Sequence, residues 1–409
     1  MENQTEKARV RFWHRYRGLP SSVFALSLVS FLNDTSSDII YPLLPAFLFL
    51  SLGATPFAIG LIEGFSESVA SILKLFSGYL SDRFGRRKLP VFFGYSLAAV
   101  MRPLLAFVTT WTQVLVVRMT DRIGKGIRGA PRDALLAADV SPEERGLAFG
   151  FNRAADHLGA VVGPVIAFLL LTFLAADPSN PTMREYQQVF LYASFPVALG
   201  LFVIVFFVHD HPGPNPIEDA DSIRFSLDEF DGNFKRYLLI VSLFTLSNST
   251  DAFLLLRAES VGINPALLPL LWMVLHFSKV FSSLIGGDLS DRLGRKAMIL
   301  SGWAIYAMVY AAFAFIDSAW QAWVLFILYG AYFGLTEGVE KALVADMVEL
   351  EKRGTAFGLY NLAYGITVFP ASLIFGFLWY KFGTEAAFLT SAAISVLALC
   401  LFFTVRSEK

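Results

Sequence analysis

Long apolar runs, separated by short polar breaks, fill almost the whole chain. Read against those breaks they predict twelve helices, at 22–50, 56–81, 89–109, 111–138, 145–175, 187–209, 236–258, 265–290, 297–316, 319–347, 354–380 and 384–405. Each is long enough to cross a hydrocarbon layer about 30 Å thick at a rise of about 1.5 Å per residue. Charges interrupt the first, fourth, fifth and tenth runs, so hydropathy alone marks those four weakly.

The polar breaks carry a pattern of their own. SDRFGRRK, Ser81 to Lys88, returns about two hundred residues later as SDRLGRKA, Ser290 to Ala297. AADVSPEERGLAFGF (Ala137–Phe151) is echoed by VADMVELEKRGTAFGLY (Val344–Tyr360), and FLNDTSSD, ending at Asp38, by LSNSTD, ending at Asp251. Three echoes in one order predict a duplicated membrane protein. Its six-helix halves are expected at 22–209 and 236–405, with tails at 1–21 and 406–409. The Pro-, Gly- and acid-rich stretch 210–235 reads as a solvated linker between them.

Charge then orients the helices. The tails and the turns after helices 2, 4, 6, 8 and 10 hold about twenty Lys and Arg, and the alternate turns about two, Arg184 and Lys381. Both termini are therefore expected on the cytoplasmic side, the basic N-terminal stretch serving as lead-in to the first helix. Trp13, Trp111, Trp320 and Trp379 fall near span ends as interfacial anchors. Trp272 and Trp303 lie deeper.

Composition agrees and excludes alternatives. The chain is 55% hydrophobic and 16% charged, against about a quarter charged in soluble proteins, so much of its surface faces lipid. A net charge of −1 argues against a nucleic-acid partner, and the single Cys400 excludes an internal disulfide or a Cys-rich metal site. His209 and His211 lie beside prolines in the linker and read as incidental; no metal or other cofactor is expected. The sequence holds no nucleotide-binding glycine loop, nucleophile elbow or metal-ligand cluster, so an enzyme is not expected.

The basic turns carry a resemblance. The pattern Gly-x-x-x-Asp-Arg-x-Gly-Arg-Arg/Lys falls on Gly78, Asp82, Arg83, Gly85, Arg86 and Arg87, and again on Gly286 or Gly287, Asp291, Arg292, Gly294, Arg295 and Lys296. In this, and along essentially its whole length, the chain resembles the major facilitator superfamily. Arg118, Gly124 and Gly126 fit that family's fourth helix. Gly150, Gly159, Gly163 and Pro164 fit the fifth-helix motif of its twelve-helix proton antiporters, with Ala167 in place of the final glycine. The resemblance implies an all-helical membrane fold of two pseudo-symmetric bundles, alternating access to a central site, and a gating role for both basic turns. It also implies that Asp82 holds the bundles together in one state. Asp82 and Asp291 end helices 2 and 8, where the helix dipole disfavours an acid without a compensating partner.

Charged side chains inside the runs mark the chemistry. A bare charge near the bilayer centre costs at least about 2.5–3.5 kcal/mol, so these groups should face a cavity or one another. Asp34 lies roughly 18 Å along helix 1, near the midplane, with Asn33 beside it and Asp38 a turn further. Glu63 and Glu67 share a face of helix 2. Such clustered carboxylates are candidates to take up and release a proton, Asp34 first among them, or else they pair with nearby arginines. Arg118, Asp121, Arg122, Lys125, Arg128 and Arg132 form a charged stripe on helix 4, a cationic cavity wall suited to an anionic solute. Asp156 is expected opposite Arg128 in a structural pair, with Arg153 near Arg132. In the second half Asp251, His276 and Lys279 reach similar depth. His276 is a candidate proton acceptor and Asp251, Lys279 and Trp272 candidate cavity residues, while Arg132, Arg153, Asp156, Glu337, Glu340 and Lys341 are expected at a cytoplasmic gate.

These readings converge on a secondary transporter in a bacterial cytoplasmic membrane. A small, anionic solute and protons are its expected partners, in a monomer surrounded by lipid, with efflux the leading direction. Import of an anionic metabolite or siderophore-like chelate is the alternative. A non-transporting receptor is a third class, but it would be expected to carry a signalling domain.

Overall fold

A computed structural model describes residues 18–84, 87–138, 140, 141, 144–209, 227–349 and 352–406, without the side chains at 78–84, 284, 287, 288 and 291. Trp13, His211, Gly85, Arg86 and most of the linker lie outside that description, and Gly78, Asp82, Arg83, Gly287 and Asp291 are described by their backbone alone.

All twelve expected crossings are helical, at close to the expected ends. They are α1 (Ser21–Ile40, extended by Leu44–Ala46 and a wide π turn at Phe47–Ser51), α2 (Pro56–Phe84), α3 (Lys88–Leu104), α4 (Trp111–Ala138), α5 (Arg145–Leu174) and α6 (Met183–Tyr192 and Ser194–Phe207). The second half contributes α7 (Gly232–Ser247 and Ala252–Ser260), α8 (Leu268–Leu293), α9 (Arg295–Phe315), α10 (Ala319–Asp346), α11 (Arg353–Phe382) and α12 (Thr384–Phe402). By length and apolar content, eleven crossings among the described residues could span a membrane. The twelfth, α4, fails on its charge.

Two of these helices are broken near the middle of the molecule. The prolines at 42 and 45 interrupt α1, since each removes a backbone donor and clashes with the preceding turn. In α7 the polar run Ser247–Asp251 opens the helix, because such side chains compete with the backbone for its own hydrogen bonds. At that depth irregular backbone is tolerated where it lines a cavity, and Asn248 to Asp251 do so.

The halves meet along two seams. On one, α2 and α11 run antiparallel in close contact. Gly64 of α2 lies against Ser372 and Phe369, Gly376 of α11 against Pro56 and Phe57, and Ser68 donates a 2.6 Å hydrogen bond to the Gly365 carbonyl. On the other, α5 meets α8.

The interiors differ. The second half is filled by rings: Phe244 stacks on Trp303 at 4.2 Å and Tyr306 on Tyr310 at 4.2 Å. Its outer faces, and those of the first half, expose Phe173, Leu239, Phe107, Phe195 and Trp320, as lipid contact requires. Cys400 is exposed as well.

Candidate transport cavity

Between the halves lies a cavity of about 1160 Å³. Its lining starts at Tyr41, Ser249–Asp251 and Trp272 and runs to Lys74, Arg132, Ser290, Arg295 and Lys341. The last group stands toward the end of the bundle that carries the basic turns. At the far end the halves touch. Trp272 Nε1 donates to Asp38 Oδ1 at 2.9 Å, the Tyr41 and Thr250 hydroxyls are 3.5 Å apart, and Asn264 Nδ2 donates to Ser179 Oγ at 2.9 Å. Toward the basic end one cross-bundle contact among the described residues is an exposed ion pair, Arg153 to Glu337 at 3.8 Å, a kind worth about 0–1 kcal/mol.

The first half holds its charges in a buried lattice. Arg118 forks onto Glu63 at 3.0 and 2.7 Å, a bidentate pair 4% and 6% exposed. Arg102 reaches Asp121 at 3.3 Å and both oxygens of Asn33 at 2.8 and 3.0 Å. Arg128 donates to the Gly94 carbonyl and Asn33 Oδ1, with its guanidinium 4.4 Å from the Tyr95 ring centre. Gly94 and Gly124 permit this, since α3 and α4 touch backbone to backbone there.

Most residues expected from the sequence line this cavity: Asn33, Asp34, Asp38, Glu63, Glu67, Asp121, Arg122, Lys125, Arg128, Arg132, Arg153, Asp156, Asp251, Trp272, His276, Lys279, Glu337 and Lys341. Two do not. Arg118 sits behind the wall on Glu63. Glu340 lies inside the second half, taking hydrogen bonds from Trp303 Nε1 at 2.9 Å and the Tyr360 hydroxyl at 2.6 Å. The expected Arg128–Asp156 pair is also corrected. Tyr95 and Gly94 hold Arg128 against α3, and Asp156 faces Arg132 at 3.8 Å and Arg153 at 3.9 Å.

Three lining carboxylates, Asp34, Asp38 and Asp251, have no basic group within 4 Å among the described residues. Their partners are neutral: Asn33, Trp272 and the Tyr329 hydroxyl respectively. Lys279 likewise lacks a carboxylate within that distance and rests 3.4 Å from the Phe333 ring centre. His276 stands edge-on to Trp272.

The α5 glycines meet α1 beside these acids. A Cβ on Gly159 would fall 2.6 Å from the Phe31 carbonyl and 3.0 Å from Asp34 Cβ; one on Gly163, 2.6 Å from the Thr35 carbonyl and 2.9 Å from Asp38 Cβ. Gly150 has nothing within 4 Å. Of the basic turns, Gly294 adopts φ +90° between α8 and α9, where only glycine is unstrained. Arg295 contacts Asp346 at 3.4 Å, Arg292 is exposed, and Lys296 donates to the Phe403 and Val405 carbonyls beyond α12. Arg87 donates to the Ala134 carbonyl.

Sequence reasoning overlooked Arg102 and His157. The signal for Arg102 was present, an arginine one residue before a proline in an otherwise apolar run. His157 carried none beyond its place one residue after Asp156.

Two bundles of six helices around a charged central cavity have the architecture of a membrane transporter. The model of the Major Facilitator Superfamily matches residues 26–366 and again 237–409, and the chain belongs to that superfamily. It is 33% identical over 391 residues to an uncharacterized MFS-type transporter of Methanocaldococcus jannaschii, covering 93% of this chain and 94% of that one. It is 23% identical over 382 residues to the multidrug resistance protein MdtG of Enterobacter lignolyticus, covering 89% and 87%. Among solved structures the nucleoside transporter NupG superposes with a TM-score of 0.80 at 14% identity, over 94% of this chain and 99% of that one.

Proposed function

We propose that this protein is a proton-coupled exporter of a small anionic solute. The observation that carries the reading is the division of the cavity carboxylates. Glu63 and Asp121 are tied to arginines within 3.3 Å, and protonating either breaks an ion pair. Asp34, Asp38 and Asp251 can take a proton without doing so. Asp34, on the α1 face that α5 grips through Gly159, is the carrier, and the cationic stripe of α4 attracts the solute. Export is supported by the fifth-helix glycines and by the likeness to MdtG. The excess of Lys and Arg on one side supports a cytoplasmic basic end and cytoplasmic termini; in that orientation the cavity, closed at its far end, receives solute from inside the cell.

Proteoliposomes carrying an internal pH dye test this. Adding solutes from an anion panel should move protons in the wild type, and Asp34→Asn should retain solute binding while losing that movement. Proton movement undiminished in Asp34→Asn would overturn the assignment, and its direction relative to solute separates export from import.

A further inference from the structure

Arg122 differs from four neighbouring arginines of the first half. Arg102, Arg118, Arg128 and Arg132 each donate at least two hydrogen bonds. Arg122 lines the cavity, is 8% exposed, and donates to no described residue; its Nε is enclosed without a partner. One carboxylate comes within 4 Å: Glu67 Oε2 lies 3.9 Å from Arg122 Nη1, beyond hydrogen-bond reach. A turn along α4, Lys125 Nζ lies 3.9 Å from the other oxygen of the same carboxylate. Glu67 thus stands between two cations and hydrogen-bonds neither.

A guanidinium offers five N–H donors in a planar fork that matches an oxyanion. Enclosed donors are nearly always satisfied, so an enclosed Nε without a partner, on a fork that lines a solvent-reachable cavity, points to a visiting acceptor. Arg102 and Arg128 close by are already spent on Asp121, Asn33 and Gly94, which leaves Arg122 the buried fork still free to bind.

We propose that Arg122 anchors the oxyanion of the transported solute, a carboxylate or phosphate held bidentate with Lys125 as second cation. Glu67 occupies the place as a weak internal competitor until the solute arrives. This rests on the anionic-solute reading above and names the residue and the group recognised.

The test uses full-length protein in detergent. Its probes are acetate, succinate, benzoate and phenyl phosphate, set against acetamide, benzamide and phenol as neutral counterparts. Ligand-induced shifts in melting temperature give the affinities. Arg122→Gln and Arg122→Lys should both weaken oxyanion binding about tenfold or more, since lysine keeps the charge but loses the fork. Glu67→Gln should tighten it several-fold, a gain that a structural role for Glu67 would not produce. Arg122→Lys binding as well as wild type would overturn the bidentate assignment. Glu67→Gln weakening binding would overturn the competitor role, a result readable even if the arginine variants fail to fold. A wild type that binds only the neutral probes would overturn the anionic-solute reading itself, whereas anion binding indifferent to Arg122 would overturn this inference alone.

Discussion

Alanine placed at Gly159 should act on the transport cycle through α1. A Cβ there would sit 2.6 Å from the Phe31 carbonyl and 3.0 Å from the Thr35 amide. Ordinary contact begins at 3.4 Å, so the two helices must part by 3.4 − 2.6 = 0.8 Å. The contact atoms are backbone in the middle of a buried helix and cannot rotate away. Overpacking of this kind costs about 1–3 kcal/mol. Against it stands the gain in helix propensity of alanine over glycine, up to about 1 kcal/mol. At Gly159 the steric term wins, by as much as about 2 kcal/mol, and the displacement falls on Asp34, whose Cβ is 3.0 Å from the added methyl. At Gly150 nothing lies within 4 Å, so the propensity term acts alone. Gly159→Ala should therefore lower the melting temperature and suppress solute-driven proton movement, while Gly150→Ala leaves transport intact and melts no lower than wild type. Both are measured on purified protein and in proteoliposomes. A Gly159→Ala protein as stable and active as wild type would refute the argument that this motif acts through contact of α5 with α1.

Glu63→Gln should destabilise strongly, by about 3–5 kcal/mol, because Arg118 would keep its charge and lose its carboxylate; a melting temperature equal to wild type would show the pair to be dispensable. Tyr360→Phe takes one of two side-chain donors from the buried Glu340 carboxylate and should cost about 1–3 kcal/mol with the cavity untouched, which unfolding would record as lost stability and anion binding as no change. On a Cys400→Ser background, Ser179→Cys with Asn264→Cys should cross-link the far ends of the halves and arrest transport until reduced. Full transport by the cross-linked form would mean that this contact persists through the cycle.

The crossings were legible because lipid leaves the chain little choice: every run long enough to span became a helix, and of the four runs interrupted by charge only α4 fails to read as a membrane span by composition. Which side chains share the cavity was legible too, since helical rise converts position into depth. Partner choice was not. Depth matched Arg128 to Asp156, but Arg128 turns toward α3, where Gly94 admits its guanidinium beside Tyr95 and Arg132 takes the aspartate. Glu340 shows the same limit. It lies one residue before Lys341, and that single step around α10 carries it from the cavity wall into the aromatic interior. Rotation about the helix axis, decided by neighbours on other helices, is the quantity that a string of residues encodes least directly.

The two margins along which the halves meet are unequal. The α2–α11 margin is stitched by glycine contacts and by Ser68 on the Gly365 carbonyl, and close backbone packing of this kind resists separation because parting the helices would open a void between them. The opposite margin, where α5 meets α8, is in contact over less of its length. Widening the cavity through that sparser margin therefore leaves more packing intact than widening it through the stitched one.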